Sequence, residues 1–197
     1  MSIVVEHEKR KKEILEKALD VFMDEGFEDA TFQKIADRCG ITRTTLYVYF
    51  KNKRDIFTYS IKLLLIKVEE GIQRIRADTM LDSIEKITGI LLNILDQLTE
   101  NRRLLSVVLD YLLYISRTDS DPNIRVRRRT LRFRHLLSSI VIDGIKKGEL
   151  APINIKIADD YLYSFIEAAI YRLVVLRQKS VEELKQAATQ AVLLLEK

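Results

Sequence analysis

Residues 32–50, FQKIADRCGITRTTLYVYF, carry the pattern that decides the fold. The apolar residues before Gly40 recur at helical spacing, and a second helical pattern resumes after it. Gly40 suits the turn between them because glycine adopts a positive φ at no steric cost. Thr31 and Thr42 stand where a threonine hydroxyl caps the start of a helix. The stretch therefore predicts two short helices joined by a tight turn, a helix-turn-helix.

The second helix of this pair has an outward face that its own stability does not explain. Threonine, valine and tyrosine are mediocre helix formers, yet they dominate residues 42–49. Arg43, Thr44 and Tyr47 lie opposite the inward Leu46, with Thr42, Thr45 and Val48 at the edges of that face. Arginine can donate two hydrogen bonds to guanine, threonine can contact thymine, and tyrosine can reach phosphate. The face favours a recognition helix for the major groove of DNA.

The remaining sequence predicts an all-α protein of about nine helices, because no run alternates with period two for long enough to form a strand. We expect residues 1–53 to form a helix-turn-helix domain and residues 54–197 to form a larger helical domain for effector binding and dimerisation. The predicted helix bounds outside the central pair are 8–25, a long helix from about 54 with breaks near 78 and 100–101, a helix from the loop 119–123 to about 147, and two further helices at about 155–178 and 181–196.

The composition excludes several classes of protein, but it does not identify a binding partner. The chain has 33 Lys+Arg against 29 Asp+Glu, but residues 1–55 hold eleven of each, so attraction to phosphate depends on where the charges lie. The single cysteine and two histidines predict no disulfide and no metal site. The sequence also has no nucleophile elbow, phosphate loop or carboxylate pair, and no apolar run near the ~18 residues of a membrane span. We expect a cytoplasmic protein that is not an enzyme, needs no cofactor and does not bind a membrane.

The segment from about Ile14 to Phe57 resembles the TetR family of transcriptional regulators. Gly26, Thr31, Ile35-Ala36, Gly40, Leu46-Tyr47, Tyr49-Phe50 and Lys53 occur in the order and spacing of that family. The resemblance implies a dimeric, all-helical repressor that binds a palindromic double-stranded operator and is released by a small-molecule effector. Thr44 and Thr45 depart from the family, in which a glycine or another small residue is more usual.

The resemblance also implies roles for individual residues of the first domain. Gln33, Arg43, Thr44 and Tyr47 are the implied base-facing set. Thr31, Thr42, Tyr49 and Lys53 are the implied phosphate contacts, and Thr45 and Tyr47 suit either role. Lys51 flanks the end of the recognition helix and adds positive charge there.

The last two helices have apolar stripes wider than one neighbouring helix requires, which indicates contact with a partner in addition to core packing. In the family the equivalent helices form a four-helix bundle about a two-fold axis, so the resemblance implies a homodimer. The candidate interface residues are Tyr161, Phe165, Ala169, Leu173, Leu184, Ala188, Ala191 and Leu195.

Polar residues within the apolar helices of the larger domain are candidates for an effector pocket, since such pockets are apolar with a few polar groups. The candidates are Tyr111, Tyr114, Arg128, Arg132, His135, Glu167, Tyr171 and Arg172. The arginine-rich segment 125–134 allows two interpretations, an anion site for the effector or a solvated face whose arginines pair with surface acids. A helical adaptor without specific DNA binding is the alternative function, but it leaves the Arg43-Thr44-Tyr47 face unexplained.

Overall fold

The computed structural model describes the backbone of residues 3–118 and 124–197, and the side chains of these residues except 3–4, 63–64, 67, 118 and 124–130. Within this part of the chain there are nine α-helices and a single isolated bridge between Leu150 and Glu196, which confirms the predicted all-α fold. The helices are α1 (Ile3–Asp29), α2 (Phe32–Cys39), α3 (Arg43–Tyr49), α4 (Lys53–Ala77), α5 (Ser83–Glu100), α6 (Arg102–Thr118), α7 (Ile124–Lys147), α8 (Ile155–Ile170), which continues as a π-helical segment (Tyr171–Val175), and α9 (Glu182–Leu193).

α1 and α8 differ most from the sequence-based expectation. α1 begins at Ile3 rather than near Glu8, because no helix breaker precedes Glu8 and the added turns pack on other helices. Gly26, with φ of 79°, interrupts α1 near the predicted end, and one further turn follows. The predicted helix 155–178 changes to π-helical geometry after Ile170. The predicted loop at 119–123 lies outside the described residues.

The chain divides into two compact units, and the first contains Met1–Lys67 with Ser106–Tyr114. Its centre is an aromatic cluster in which Phe27 lies 4.5 Å from Tyr111 and 5.1 Å from Phe57, measured between ring centroids. Ser60 of α4 is also buried and donates to the Leu15 carbonyl of α1 at 3.0 Å. The unit that holds the helix-turn-helix therefore extends past the expected boundary after Lys53 and includes part of α6.

The second unit contains Val68–Leu105 with Ile115–Lys197. Its main core is formed by fully buried side chains of α5, α7, α8 and α9, among them Ile87, Leu91, Leu137, Leu162 and Val192. α5 begins with a capping box in which Asp82 accepts from the Glu85 N–H and Glu85 accepts from the Asp82 N–H. Among the described helices of both units, none has the length and apolar character needed to cross a membrane.

Glu149 provides a further, pH-dependent stabilisation of the start of α5. Its carboxylate accepts from the Ser83 N–H at 3.0 Å and from the Ser83 hydroxyl, and the hydroxyl bond holds the pKa of the Glu149 carboxyl below its usual value. A lowered folded-state pKa stabilises the protein above the unfolded pKa, and this contribution is lost as pH falls through the folded value.

We therefore expect Glu149→Gln to have a lower melting temperature than wild type at pH 7, and the difference to shrink towards pH 3. Glutamine keeps an acceptor oxygen for Ser83 but carries no charge. Thermal unfolding followed by circular dichroism between pH 7 and pH 3 measures the difference. A gap that stays constant over this range would contradict the assignment of the pH dependence to Glu149.

Candidate nucleic-acid interface

Local capping and a buried inner face fix the helix pair α2–α3. Gly40 adopts the left-handed conformation, with φ of 66° and ψ of 36°, and its N–H bonds the end of α2, as predicted. Leu46 is fully buried between the helices, and Cys39, 5% exposed, packs against α1. Cys39 is therefore a packing residue, and the same burial raises the pKa of its thiol. The inner face thus holds α3 in place with its opposite face in solvent.

The predicted base-facing residues lie on this solvent face. Arg43, Thr44 and Tyr47 are all exposed, and Arg43 donates to the Tyr47 hydroxyl at 3.1 Å. The Tyr47 ring packs on Phe32 of α2, with 4.6 Å between ring centroids. Gln33 of α2 is exposed as well and donates to the Asp37 carboxylate at 2.7 Å. Tyr47 therefore connects the guanidinium of α3 to the surface of α2, and the four side chains belong to one exposed helix pair.

The predicted phosphate contacts are divided between capping positions and the end of α3. The Thr31 hydroxyl accepts from the Lys34 N–H at 3.2 Å, and the Thr42 hydroxyl accepts from the Thr45 N–H at 3.1 Å. The Thr31 hydroxyl keeps a proton that it can donate, whereas the Thr42 and Thr45 hydroxyls lie 2.8 Å apart and share one hydrogen bond. Tyr49 is half-buried at the last position of α3.

The contacts of the Lys53 side chain within the protein argue against its predicted role as a phosphate contact. Its ammonium donates to the carbonyls of Phe27 at 2.7 Å, Glu28 at 2.7 Å and Ala30 at 3.0 Å. An ammonium has three N–H donors, so the carbonyls at the end of α1 use all of them. Burial lowers the pKa of Lys53, although the nearby Glu28 and Asp29 carboxylates act in the opposite direction. Lys53 caps the C-terminal end of α1 and is not available to a phosphate in this arrangement.

Lys53→Met is expected to lower the free energy of unfolding by about 1–2 kcal/mol, because three partly exposed carbonyls lose a charged donor. Urea denaturation measures this loss. The exposed Lys51 supplies the matched control, since Lys51→Met should keep the wild-type urea midpoint. It should instead lower the slope of log K against log salt for DNA binding by about 0.9 for each phosphate that the Lys51 ammonium neutralises. A Lys53→Met protein with wild-type stability and a lower salt slope would restore the phosphate role.

The candidate dimer residues fall into two groups. Tyr161 is 37% exposed and Phe165 is half-buried, so both present surface to a partner. The other six are at most 6% exposed within the single chain, which contradicts their assignment to a dimer interface because they are already covered by their own helices. These six are Ala169, Leu173, Leu184, Ala188, Ala191 and Leu195.

The predicted effector residues are divided between the two units of the chain. Tyr111 belongs to the aromatic cluster of the first unit and accepts from the Arg54 guanidinium at 2.9 Å, which corrects its assignment to a pocket. Tyr114 belongs to the same unit, 5.9 Å from Phe27 between ring centroids. In the second unit, Arg172 is half-buried, and four candidates are exposed: Arg132, His135, Glu167 and Tyr171. The Arg128 side chain lies outside the described residues.

An open apolar groove of about 540 Å³ in the second unit has different lining residues. It is lined by Ile142, Ile145, Lys146, Pro152, Ile153 and Ile155. Among the side chains that the structure describes, no group of three or more His, Cys, Asp or Glu is placed to hold a metal ion.

Two contacts beside the recognition helix were missed by the sequence analysis. The His7 imidazole stacks on the Tyr49 ring with 4.7 Å between centroids, and the Lys11 ammonium lies 4.8 Å from the centroid of the Tyr59 ring. The spacing of four residues between His7 and Lys11 is the one signal that places both on a single helix side. The sequence analysis started α1 near Glu8, so it did not include His7 in this helix.

A capped helix pair with a polar, exposed outer face on its second helix defines a helix-turn-helix DNA-binding protein. Residues 14–59 match the family model described as bacterial regulatory proteins, tetR family. Over this segment the chain carries the DNA-binding domain of the TetR family of transcriptional regulators.

Relatives and solved structures resemble the chain over most of its length. The HTH-type transcriptional regulator YfiR of Bacillus subtilis, itself uncharacterized, is 28% identical over 158 residues, which are 77% of this chain and 74% of the relative. A TetR transcription regulator from Haloarcula marismortui has a TM-score of 0.81 at 21% identity, with 96% and 97% of the two chains covered. The transcriptional regulator FadR from Bacillus subtilis, in complex with stearoyl-CoA, has a TM-score of 0.73 at 21% identity, with 94% and 97% covered. These two structural similarities show a shared fold and no more.

Proposed function

We propose that this regulator is a homodimeric repressor that binds a palindromic operator through α3 and is released by a small-molecule effector. The observation that carries the proposal is the outer face of α3, where Arg43, Thr44 and Tyr47 are exposed on a helix whose inner residue Leu46 is fully buried. Such a helix places base-reading side chains in the major groove while its own packing stays intact. The protein acts in the cytoplasm as a regulator and not as an enzyme.

A homodimer is supported by apolar side chains of the second unit that remain in solvent. These are Ile157, Tyr161, Tyr171, Val175, Leu176, Leu193 and Leu194, with exposures from 37% to 79%. They come from α8, the π-helical segment and the end of α9, the elements for which the sequence predicted a partner. Two copies related by a two-fold axis bury the same patch on each protomer and present two recognition helices to successive major grooves, ~34–36 Å apart.

The effector class to test first is an acyl-coenzyme A. This choice rests on the similarity to the FadR structure that contains stearoyl-CoA, together with the largely aliphatic interior of the second unit. An effector that binds one conformation of the protomer better than the other shifts the protein towards it and lowers operator affinity. Arg132 and Arg172 are the described arginines among the candidates for the anionic part of such a ligand.

Selection of bound duplexes from random DNA by the purified full-length protein, followed by sequencing, tests the proposal. An inverted repeat is the expected product, with half-sites about one helical turn apart. The recovered duplex then serves in a competition assay with stearoyl-coenzyme A, which should release it. Sequences without an enriched motif at moderate salt would overturn the operator proposal and favour the helical adaptor.

A further inference from the structure

The first two turns of α1 bring a histidine to the recognition helix. His7 lies in residues 3–13 of α1, before the segment 14–59 that the family model matches. Its imidazole stacks on the Tyr49 ring at an interplanar angle of 25°, with 4.7 Å between centroids. Tyr49 is the last residue of α3. The contact joins an element outside the family match to the end of the helix that reads DNA.

Tyr49 continues one side of α3 that carries hydroxyl groups. The Thr42 and Thr45 hydroxyl oxygens lie 2.8 Å apart, and Tyr49 follows Thr45 by four residues, which places it on the same side of the helix. These three residues form the edge that we assign to phosphate. His7, against Tyr49, stands at the end of this edge.

A second contact fixes the start of α1 in this position. The Lys11 ammonium lies over two rings, 4.8 Å from the centroid of Tyr59 and 5.7 Å from that of Phe50. Lys11 is one helical turn after His7, so both side chains lie on the same side of α1. Cation–π contacts of this kind add about 0.5–1 kcal/mol at exposed sites. The imidazole is thus held beside α3 by two contacts in succession.

The charged groups around His7 leave its imidazole able to bind an anion. Tyr49 faces the ring from α3, and Lys11 adds a positive charge on the same side of α1. The Glu8 carboxylate lies 3.8 Å from Nδ1, which is longer than a hydrogen bond, and both side chains are exposed. A protonated imidazole has two N–H groups, so an interaction of Nδ1 with Glu8 leaves the Nε2–H for a phosphate oxygen.

We infer that His7 is a phosphate contact of the DNA interface whose protonation raises DNA affinity as pH falls. The inference rests on the proposed function for the side of α3 that faces DNA, but it does not require a palindrome. Imidazole gains its charge between about pH 8 and pH 5, and a phosphate stabilises the charged form, so binding takes up a proton. Because a phosphate contact carries no sequence information, the effect should appear on any duplex.

Fluorescence anisotropy at pH 6, 7 and 8 and constant ionic strength tests the inference, with the selected duplex and a length-matched random duplex. The wild-type protein should bind both about 3- to 10-fold more tightly at pH 6 than at pH 8, the size of one exposed charge-assisted contact per protomer. His7→Gln should equal wild type at pH 8 and lose this gain at pH 6. Lys156→Gln is the control and should keep the wild-type pH profile, because it removes an exposed positive charge from the second unit.

At pH 6, His7→Gln should also lower the slope of log K against log salt by about 0.9 per protomer. The inference fails if His7→Gln keeps the wild-type pH profile, or if wild-type affinity for both duplexes does not change with pH. Selection without an enriched motif, together with a His7-dependent profile on random DNA, would overturn the operator proposal and support the phosphate contact. An enriched inverted repeat, together with a pH profile that His7→Gln does not change, would support the operator proposal and overturn the phosphate contact.

Discussion

Arg43→Ala is expected to remove most of the preference of the protein for its operator while leaving the fold intact. Arg43 is exposed near the start of α3, and its guanidinium donates to the Tyr47 hydroxyl at 3.1 Å on the face that we propose meets DNA. A bidentate contact of arginine with guanine contributes about 1–3 kcal/mol of discrimination, and a homodimer makes the contact twice. The operator affinity should therefore fall by about 2–6 kcal/mol, or roughly 30-fold to 10⁴-fold.

Anisotropy titrations with the operator and with a random duplex separate specificity from charge. Arg43→Ala should bind the random duplex within several-fold of wild type, since it loses one positive charge per protomer. Arg38→Ala provides the control, because Arg38 is an exposed arginine of α2 that pairs with Asp24 at 3.1 Å. We expect it to keep the wild-type ratio of operator to random affinity. The assignment of the base-reading face to α3 is wrong if Arg43→Ala also keeps that ratio and Arg38→Ala does not.

Arg134→Met is expected to destabilise the protein by about 3 kcal/mol at pH 7. The Arg134 guanidinium donates to the Asp159 carboxylate at 2.6 Å and also pairs with Asp160, joining α7 to α8. The Asp159 side chain is 9% exposed, and its second oxygen, Oδ1, is buried without a hydrogen-bond donor. Loss of the arginine leaves a buried carboxylate with no charged partner, and the free energy cost of that state exceeds the loss of a surface ion pair.

Urea denaturation of three variants distinguishes this cost from a general sensitivity of α7. Arg132→Met changes an exposed arginine of the same helix and should stay within about 0.5 kcal/mol of wild type. The double variant Arg134→Met with Asp159→Leu removes both charges and should recover much of the missing stability. Equal losses in Arg134→Met and Arg132→Met, or no recovery in the double variant, would show that the buried Asp159 carboxylate is not the cause.

The ion pairs of Arg134 also bear on the arginine-rich segment 125–134. For this arginine the pairing with acids that the sequence analysis allowed is confirmed, although Asp159 is a buried rather than a surface acid. Arg132 is exposed to solvent. The side chains of residues 124–130 lie outside the described part of the chain, and the anion-site interpretation of their arginines remains a prediction.

The sequence by itself determined the helix-turn-helix and most helix bounds. Gly40, Thr31 and Thr42 act through backbone conformation and capping within a few residues of their own position, so their effect can be read from the order of residues. The outward face of α3 follows from helical spacing, since Leu46 fixes the inner side and Arg43 and Tyr47 then face out. Local physical causes leave a local pattern in the sequence.

Tertiary structure decided which of these side chains have partners. Lys53 has the spacing of a phosphate contact, but the carbonyls of Phe27, Glu28 and Ala30 use its three donors. Tyr111 reads as a polar group in an apolar helix, and its ring is in fact part of an aromatic core. An apolar stripe looks the same whether its own chain or a second copy covers it, so burial alone assigned Ala169 and Leu184 to the core. Such contacts depend on which helices meet, and that is set by the packing of the whole chain.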